Sequence, residues 1–261
     1  MEESMFADYN PAHLIKRLFG ITPDKIASTV ILAPARRILA GLESQLQKPQ
    51  TFGSWFTGTS GYLDDELFIT ILNDIRYAPG MADCVYFLQF AGVKNLIYTG
   101  SIGGLAMGME IGDFILVKDA ERGDGASGYF SPIYDPAMAD QAFLDQIRPL
   151  LQTSAKKEGY QLFEGRIFTT DSLAAETVEF LTALQTRGFL GIEMETSALY
   201  VVARCAGMRA VAAHVISDLP LAGKTLFDEF TDAEKERRAS AYSHLVNTWV
   251  KVARVLASEE R

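Results

Sequence analysis

The sequence predicts an α/β fold: a single domain with a mixed, mostly parallel central sheet flanked by helices. Two observations predict it. Short β-rich runs alternate with helical patterns along the chain, which is typical of strands joined by crossover helices. The runs VIL, FITIL, LIYT, FILV and VAAHVI are largely apolar on both faces, as in central strands that helices cover. No linker, repeat or shift in composition divides the 261 residues, so we expect one domain over residues 1–261, with residues 1–19 as an N-terminal extension.

The predicted elements follow from these patterns in chain order. Strands are expected where β-rich apolar runs lie between turn residues, at Thr29–Leu32, Leu67–Leu72, Asn95–Thr99, Asp113–Lys118, Gly165–Thr170 and Val211–Ile216. Helices are expected where the spacing of apolar residues is helical, at Arg36–Gln47, Met81–Ala91, Gln141–Glu158, Glu176–Arg187, Met194–Cys205 and Asp232–Ala257. A chain of this length buries roughly 75% of its unfolded surface, which is enough for one large core.

The charge balance restricts the class of partner. Lys and Arg number 24 and Asp and Glu number 33, which gives a net charge of −9. This acidic balance argues against nucleic acid or an anionic membrane as a partner. It leaves an anionic substrate possible, because a local arginine cluster can outweigh the average charge.

The cysteines and the apolar runs indicate the compartment. Cys84 and Cys205 cannot form a disulfide framework, and no set of Cys and His has zinc spacing, so we expect no metal. The acidic N-terminus does not have the pattern of a signal peptide. The longest apolar run, residues 199–216, carries two arginines and a histidine and is too polar to span a bilayer. We therefore expect a cytoplasmic protein without membrane partners.

In α/β folds the chemistry lies at the carboxyl ends of strands, and four predicted strand ends carry unusual residues. The segment Tyr98–Leu105, YTGSIGGL, offers backbone N–H groups and the Ser101 hydroxyl to an anion. A turn that needs positive φ is the simpler explanation of this segment taken alone. The segment Ala33–Arg37 opens a helix with Arg36 and Arg37, which suit a phosphate. A solvated charged turn is the alternative there.

The other two strand ends carry carboxylates. In Gly191–Glu195, Glu193 and Glu195 stand on either side of a methionine, ahead of an apolar helix. Burying an unpaired glutamate is costly, so this pair predicts a hydroxyl-rich or cationic partner; an acidic first helical turn is the alternative. Ser217–Pro220 ends a buried strand with Asp218, a position typical of an acid/base group. A capping or turn aspartate before a proline is the alternative.

Taken together and in this order, the segments resemble the nucleoside phosphorylase and nucleosidase superfamily, the group of purine nucleoside phosphorylase, uridine phosphorylase, and the methylthioadenosine and AMP nucleosidases. The most specific part is Gly188–Pro220, which is similar to the EME segment and the Ser-Asp strand end of the purine phosphorylase. Asp124–Ser127 is similar to uridine phosphorylase, whereas TGSIGGL and SDLPLAG look like the nucleosidases. The resemblance runs from about Gly20 to the C-terminal helix and implies the phosphorylase/hydrolase-like α/β fold.

The resemblance also implies a role for each of ten residues. The acid at purine N7 is Asp218. The ribose is contacted by Glu193, Met194 and Glu195, the phosphate by Arg36, Ser101 and Gly100, and the base by Leu173, Ile192 and Ser217. The C1′–N9 bond of such a substrate breaks through an oxocarbenium-like state, and protonation makes the purine a better leaving group. The resemblance implies no cofactor, inorganic phosphate as co-substrate, and a homo-oligomer that is a dimer or a trimer of dimers.

Two phosphate contacts of the family are missing here. Tyr98 stands where the phosphorylases have an arginine before the loop glycine, and a second arginine, supplied by a neighbouring subunit, falls near Thr51. Arg37 and Arg76 are unaligned candidates to replace them. Charge-assisted contacts of this kind contribute roughly 1.5–3 kcal/mol each, so losing two without replacement could abolish phosphate binding.

The relatives' other functional residues are also incomplete. The water-activating glutamate of the nucleosidases is absent from residues 33–37, and Ala174-Ala175-Glu176 follows Leu173 where uridine phosphorylase has its uracil-reading residues. The helper arginine downstream of the acid is replaced by Thr231, with Lys224 or Arg237 as substitutes.

We therefore expect phosphorolysis of a purine (deoxy)ribonucleoside to free base and ribose 1-phosphate. Hydrolysis of a purine nucleoside or an AMP-type nucleotide is the alternative, favoured by TGSIGGL, SDLPLAG and the missing arginines. A nucleoside-binding module without catalysis is an alternative of another class. Asp218 argues against such a module, because a protein that only binds its ligand has no need of a proton donor there.

Overall fold

The described part of the chain contains ten strands and six helices. A computed structural model describes residues 6, 8–33, 46, 49–64, 69–73 and 75–259. The strands are β1 Thr29–Ala33, β2 Gln50–Gly53, β3 Ser60–Asp64, β4 Ile69–Asn73, β5 Asn95–Tyr98, β6 Ser101–Gly104, β7 Phe114–Gly123, β8 Leu162–Thr170, β9 Gly191–Glu193 and β10 Arg209–Asp218. The helices are α1 Pro11–Phe19, α2 Tyr77–Leu88, α3 Gln141–Lys157, α4 Val178–Thr186, α5 Thr196–Cys205 and α6 Asp232–Glu259.

All ten strands join in one sheet, in the order β2-β3-β4-β1-β5-β10-β6-β9-β8-β7. Strand β10 also pairs with β7, so β10, β6, β9, β8 and β7 close on themselves. Among the described strands six pairings are parallel and four are antiparallel. The predicted α/β fold with a mixed, mostly parallel sheet flanked by helices is confirmed.

The core lies around β1, β5 and β10, the strands predicted from runs that are apolar on both faces. Every residue of β1 and β5 is buried, and all of β10 except its first residue. Helices α5 and α6 both pack on β10, and Trp249 of α6 is the largest fully buried side chain. Burying each large apolar side chain of such a strand contributes about 1.5–3 kcal/mol, so the centre of the sheet is a stable base for the strand ends.

Several elements differ from the prediction. Strands β2, β3, β6 and β9 were not predicted from the sequence, and neither was α1, although Asn10 accepts a hydrogen bond from the Ala12 N–H at 2.8 Å and a proline follows it. Helix α4 begins at Val178 rather than Glu176, because Thr177 caps it. Helix α5 begins at Thr196 rather than Met194. The predicted helix over residues 36–47 lies almost wholly outside the described residues, as do residues 67 and 68 of a predicted strand.

The strand register brings the predicted site residues together. Asp218 at the end of β10 pairs with Gly103 of β6, and Gly103 pairs with Ile192 of β9. Thr169 of β8 is opposite Glu193, the last residue of β9. Residues separated by more than 100 positions in the sequence therefore lie in one row across three neighbouring strands.

Candidate active site

A cavity of about 190 Å³ opens where these strand ends meet. Eight of the ten residues predicted for the site line it: Ser101, Leu173, Ile192, Glu193, Met194, Glu195, Ser217 and Asp218. Its lining also includes residues that the prediction did not assign to the site: Tyr98, Ile102, Gly103, Glu176 and Leu226. Gly100 does not line the cavity; it is buried, and its carbonyl accepts the Val215 N–H at 3.0 Å. Arg36 and Arg37 lie outside the described residues.

Asp218 faces the cavity and does not act as a helix cap. The short helix that follows is capped by Leu219 without a side-chain hydrogen bond, so the interpretation as a capping aspartate is wrong. The Ser217 hydroxyl donates to Asp218 Oδ1 at 2.6 Å. Burial raises the pKa of Asp218, while the Ser217 hydrogen bond and the Arg238 charge lower it. The net rise favours a carboxyl group that holds a proton closer to neutral pH than a free aspartate does.

Glu195 is held by two donors from distant elements. Its Oε1 accepts the Tyr77 N–H at 2.7 Å, and its Oε2 accepts the Tyr98 hydroxyl at 3.0 Å. Glu195 precedes α5 but makes no side-chain capping bond, so an acidic first helical turn does not explain it. Tyr77 has φ of 62°, and a non-glycine residue in this region is strained. In this conformation Tyr77 donates its backbone N–H to the Glu195 carboxylate and helps to fix it at the cavity.

The carboxylate of Glu193 accepts four hydrogen bonds from residues of this site. Its Oε2 accepts the Glu195 N–H, the Thr196 N–H and the Thr196 hydroxyl, each at 2.8 Å, and its Oε1 accepts the Thr169 hydroxyl at 2.5 Å. These bonds satisfy the first donors of α5, which is the task of an N-cap. Burial and the Glu195 charge raise the pKa of Glu193 to about 7, and the donors oppose that rise. Both oxygens of Glu193 are thus occupied by protein groups.

His214 supports the same network from within β10. It is fully buried, and its Nε2 lies 2.9 Å from the Thr196 hydroxyl oxygen. Because the Thr196 proton is donated to Glu193, His214 Nε2 must carry the hydrogen of this bond. Nδ1 of His214 has no hydrogen-bond partner among the described residues. Burial lowers its pKa to about 3.

The glycines of YTGSIGGL allow a close approach between strands. Gly100, Gly103 and Gly104 all have negative φ, so the interpretation as a turn that needs positive φ is wrong. A Cβ on Gly104 would lie 2.9 Å from Leu219 Cδ2 and 3.0 Å from Ile216 Cγ2, so these side chains would have to shift to make room for it. A Cβ on Gly103 would lie 3.7 Å from Asp218 Oδ2, in the space beside the acid.

The anion-binding part of the site differs from the sequence expectation. Tyr98 is buried and hydrogen-bonded to Glu195, and the Ser101 hydroxyl is paired with the Tyr242 hydroxyl of α6. Arg76, a proposed replacement for a phosphate arginine, lines a different cavity. Among the described residues, no cationic side chain lines the candidate site.

The helper cation next to Asp218 is also not the expected one. Lys224 pairs with Glu234, and Arg237 donates to Asp113 Oδ1 at 2.7 Å, so both substitutes suggested by the sequence are wrong. Arg238, the next residue along α6, donates to the Ser217 carbonyl at 3.1 Å and lowers the pKa of Asp218. Arg238 follows Arg237 on the helix, and one step along a helix rotates a side chain by about 100°, so the two arginines contact different residues.

Comparisons with known proteins identify the family. Residues 77–248, more than half of the chain, match the sequence profile described as "Phosphorylase superfamily". The chain belongs to this superfamily. Its relatives include a guanosine phosphorylase of Halorubrum lacusprofundi, 28% identical over 155 residues, and a DeoD-type purine nucleoside phosphorylase of Bacillus cytotoxicus, 26% identical over 166 residues. These matches cover 59% and 64% of this chain and 63% and 66% of the relatives, so the chain spans less than two thirds of their length.

Two solved structures share the fold of this chain. Uridine phosphorylase from Vibrio fischeri superposes with a TM-score of 0.74 at 19% identity, over 90% of this chain and 94% of the other. AMP nucleosidase from Bacteroides thetaiotaomicron superposes with a TM-score of 0.68 at 20% identity, over 91% and 96%. The curated relatives are named as phosphorylases, and the superpositions with the solved structures show a shared fold. No helix among the described residues is long and apolar enough to cross a membrane.

Proposed function

We propose that this chain cleaves the N-glycosidic bond of a purine nucleoside, with inorganic phosphate as the attacking group, to give free base and ribose 1-phosphate. One observation carries the proposal: a buried acid, Asp218, and a fixed carboxylate, Glu195, line the same small cavity. Glycosidic cleavage needs an acid for the leaving base and negative charge near the electron-poor sugar. The names of the curated relatives, a guanosine and a purine nucleoside phosphorylase, support phosphate as the nucleophile.

Each side chain has a defined part in this reaction. Asp218 gives its proton to purine N7, so that the electrons of the C1′–N9 bond leave with a neutral base. Glu195 accepts hydrogen bonds from the ribose hydroxyls, with Met194 against the sugar and Glu193 fixing the backbone N–H of Glu195. Their contacts strengthen as the ring flattens and gains positive charge.

The remaining predicted residues bind the base and the phosphate. Leu173 and Ile192 pack against the purine, while Ser217 orients Asp218. Phosphate is bound by Ser101, which lines the cavity, and by Arg36. We propose that the reaction needs no cofactor. We also propose that the protein acts on small molecules in cytoplasmic nucleoside salvage. Nucleic acid is not a proposed partner, because the net charge of −9 disfavours it.

Hydrolysis is the second candidate, and Tyr98 is the observation that favours it. A neutral, buried phenol takes the place of a phosphate-binding arginine and spends its hydrogen bond on Glu195. Water needs no such cation, whereas phosphate bound without charge-assisted contacts loses about 1.5–3 kcal/mol per missing contact.

We also propose that the protein is a homo-oligomer, a dimer or a trimer of dimers. Trp55 and Phe56, at the tip of the β2–β3 hairpin, are 81% and 56% exposed. Large aromatic side chains are enriched in protein interfaces. Light scattering after size-exclusion chromatography tests this directly, and a monomer at micromolar concentration would contradict it.

The deciding experiment measures free purine released from adenosine, inosine, guanosine and AMP, in phosphate-free buffer and after adding phosphate. Phosphorolysis requires phosphate and yields ribose 1-phosphate. Release without phosphate, with free ribose or ribose 5-phosphate as product, would establish hydrolysis instead. No product together with a ligand-induced rise in Tm would indicate a binding module.

A further inference from the structure

A tyrosine of the C-terminal helix holds the Ser101 hydroxyl at the cavity. Tyr242 of α6 is half-buried against the core, and its hydroxyl is hydrogen-bonded to Ser101 Oγ. It lies four residues after Arg238, so the two side chains share one face of the helix. Arg238 donates to the Ser217 carbonyl at 3.1 Å. This face of α6 therefore contacts the neighbouring strands β6, at Ser101, and β10, at Ser217.

The direction of the hydrogen bond between Ser101 and Tyr242 decides what the serine presents to the cavity. Each hydroxyl carries one hydrogen and two lone pairs. If Tyr242 donates, Ser101 keeps its own hydrogen for a ligand. If Ser101 donates instead, it presents only lone pairs, which repel an anion. The Ser101 hydroxyl has no other hydrogen-bond partner among the described residues, so this one bond fixes its orientation.

The acidity of the two hydroxyl groups favours Tyr242 as the donor. A phenol is more acidic than the alcohol of a serine, so its O–H is the more strongly polarised of the two. A hydroxyl that accepts a hydrogen bond also becomes a stronger donor, because chains of hydrogen bonds polarise one another. Tyr242 thus both orients the Ser101 hydroxyl and strengthens it as a donor to an anion in the cavity.

The other groups at this end of the cavity increase the importance of Ser101. Tyr98, in the place of a phosphate-binding arginine, gives its hydrogen to Glu195 at 3.0 Å. No cationic side chain among the described residues lines the cavity. Burial, the nearby glutamates and Tyr242 raise the pKa of Tyr98, so the Tyr242 hydroxyl lies close to the position where that arginine is missing. A fixed and polarised hydroxyl therefore contributes more here than it would beside two arginines.

We propose that Tyr242 is a positioning residue for the attacking group: its hydroxyl donates to Ser101 Oγ and turns the Ser101 hydrogen toward phosphate. The inference rests on the proposed phosphorolysis, in which Ser101 contacts phosphate. Tyr242 does not line the cavity, so it acts through Ser101 rather than on the substrate. Without it the Ser101 hydroxyl rotates freely, and phosphate binding weakens while nucleoside binding is unchanged.

The test compares Tyr242→Phe, Ser101→Ala and the double variant, with Tyr134→Phe as the matched control, since Tyr134 is 84% exposed and does not line the cavity. Tyr242→Phe should raise the KM and the Kd for phosphate by about 3–10-fold, the effect of one ordinary hydrogen bond, and leave the KM for inosine within about twofold. Ser101→Ala should raise both phosphate constants by about 10–100-fold, because it removes a contact to a charged group. In the double variant the loss of the phenol should add nothing, because Tyr242 acts only through Ser101. The control should match the wild type.

Other outcomes overturn the inference. Unchanged phosphate constants in Tyr242→Phe would show that Ser101 needs no partner, and a loss that persists when Ser101 is alanine would show that Tyr242 acts independently. An equal rise in KM for phosphate and for inosine would mean a structural role. The Kd for inorganic phosphate is measured by calorimetry without nucleoside, so it needs no turnover. If the wild type binds phosphate but releases no purine, or releases purine without phosphate, the proposed function fails separately and the Kd values alone decide the role of Tyr242. A wild type that binds no phosphate would overturn the inference as well.

Discussion

Replacing Asp218 by asparagine separates proton donation from hydrogen bonding. Asparagine has nearly the same volume and keeps an oxygen for the Ser217 hydroxyl, which lies 2.6 Å from Oδ1. It is neutral, like the protonated acid, and can still donate a hydrogen bond to N7. What it cannot do is transfer a proton. Since general acid catalysis contributes about 10²–10⁴-fold, kcat should fall by that factor, which corresponds to about 3–5 kcal/mol of transition-state stabilisation.

The assay is purine release under saturating substrate, with KM measured in parallel. KM should change little, because the contacts of the bound ground state are kept. A substrate methylated at N7 provides a sharper comparison: its base already carries the positive charge that protonation would give, so its cleavage should be nearly insensitive to Asp218→Asn. The matched control is Asp232→Asn, because the Asp232 carboxylate is fully exposed at the start of α6. An unchanged kcat for inosine, or an equal loss for the methylated and unmethylated substrates, would refute Asp218 as the acid.

Two other residues give predictions about the support of the site. Tyr98→Phe removes a donor to Glu195 at 3.0 Å from a buried position, so urea unfolding should show a loss of about 1.5–3 kcal/mol; an unchanged unfolding midpoint would contradict this bond. His214 has its pKa lowered from 6.5 to about 3 by burial, so below pH 6.5 the unfolded chain takes up a proton that the folded protein does not. Acidification from pH 7 to pH 5 should therefore cost the wild type about 2 kcal/mol more than His214→Gln, and parallel stability curves for the two proteins would show that His214 is not held neutral.

The strongly apolar elements of the fold were predictable, and the short elements that contain glycine were not. The runs around β1, β5 and β10 contain enough apolar residues to indicate buried strands. Strands β6 and β9 have four and three residues and contain glycines, so they carry no periodic signal. The pairing of β10 with β7 joins residues almost 100 positions apart, and no local pattern encodes such a contact.

Within the site, the sequence indicated the carboxylates at strand ends, but it did not indicate the residues whose part in the site depends on their neighbours in the fold. Asp218 and Glu195 follow buried elements, where the carboxyl-end rule applies. Tyr98 and Glu176 were visible in sequence only as departures from a family pattern, because their function depends on the neighbours that the fold gives them. Arg238 was missed in favour of Arg237, since a one-residue step along a helix rotates a side chain by about 100°.

The pairing of Glu176 with Asp218 has a consequence for the pH dependence of catalysis. Two carboxyl groups in one cavity repel each other when both are ionised, so the first ionisation makes the second harder. Burial and the charge of Asp218 raise the pKa of Glu176 to about 7, whereas the Ser217 hydroxyl and Arg238 oppose the rise that burial gives the pKa of Asp218. Asp218 therefore ionises first, and Glu176 titrates against its charge. An acid must be protonated to act, so kcat is present below the pKa of Asp218 and is lost as pH rises through it. Because Glu176 is still neutral at that point, Glu176→Gln should leave the fall in kcat at the same pH, in a profile measured with inosine from pH 5 to pH 9. A fall that moves to lower pH in this variant would show that Glu176 is already charged when Asp218 titrates.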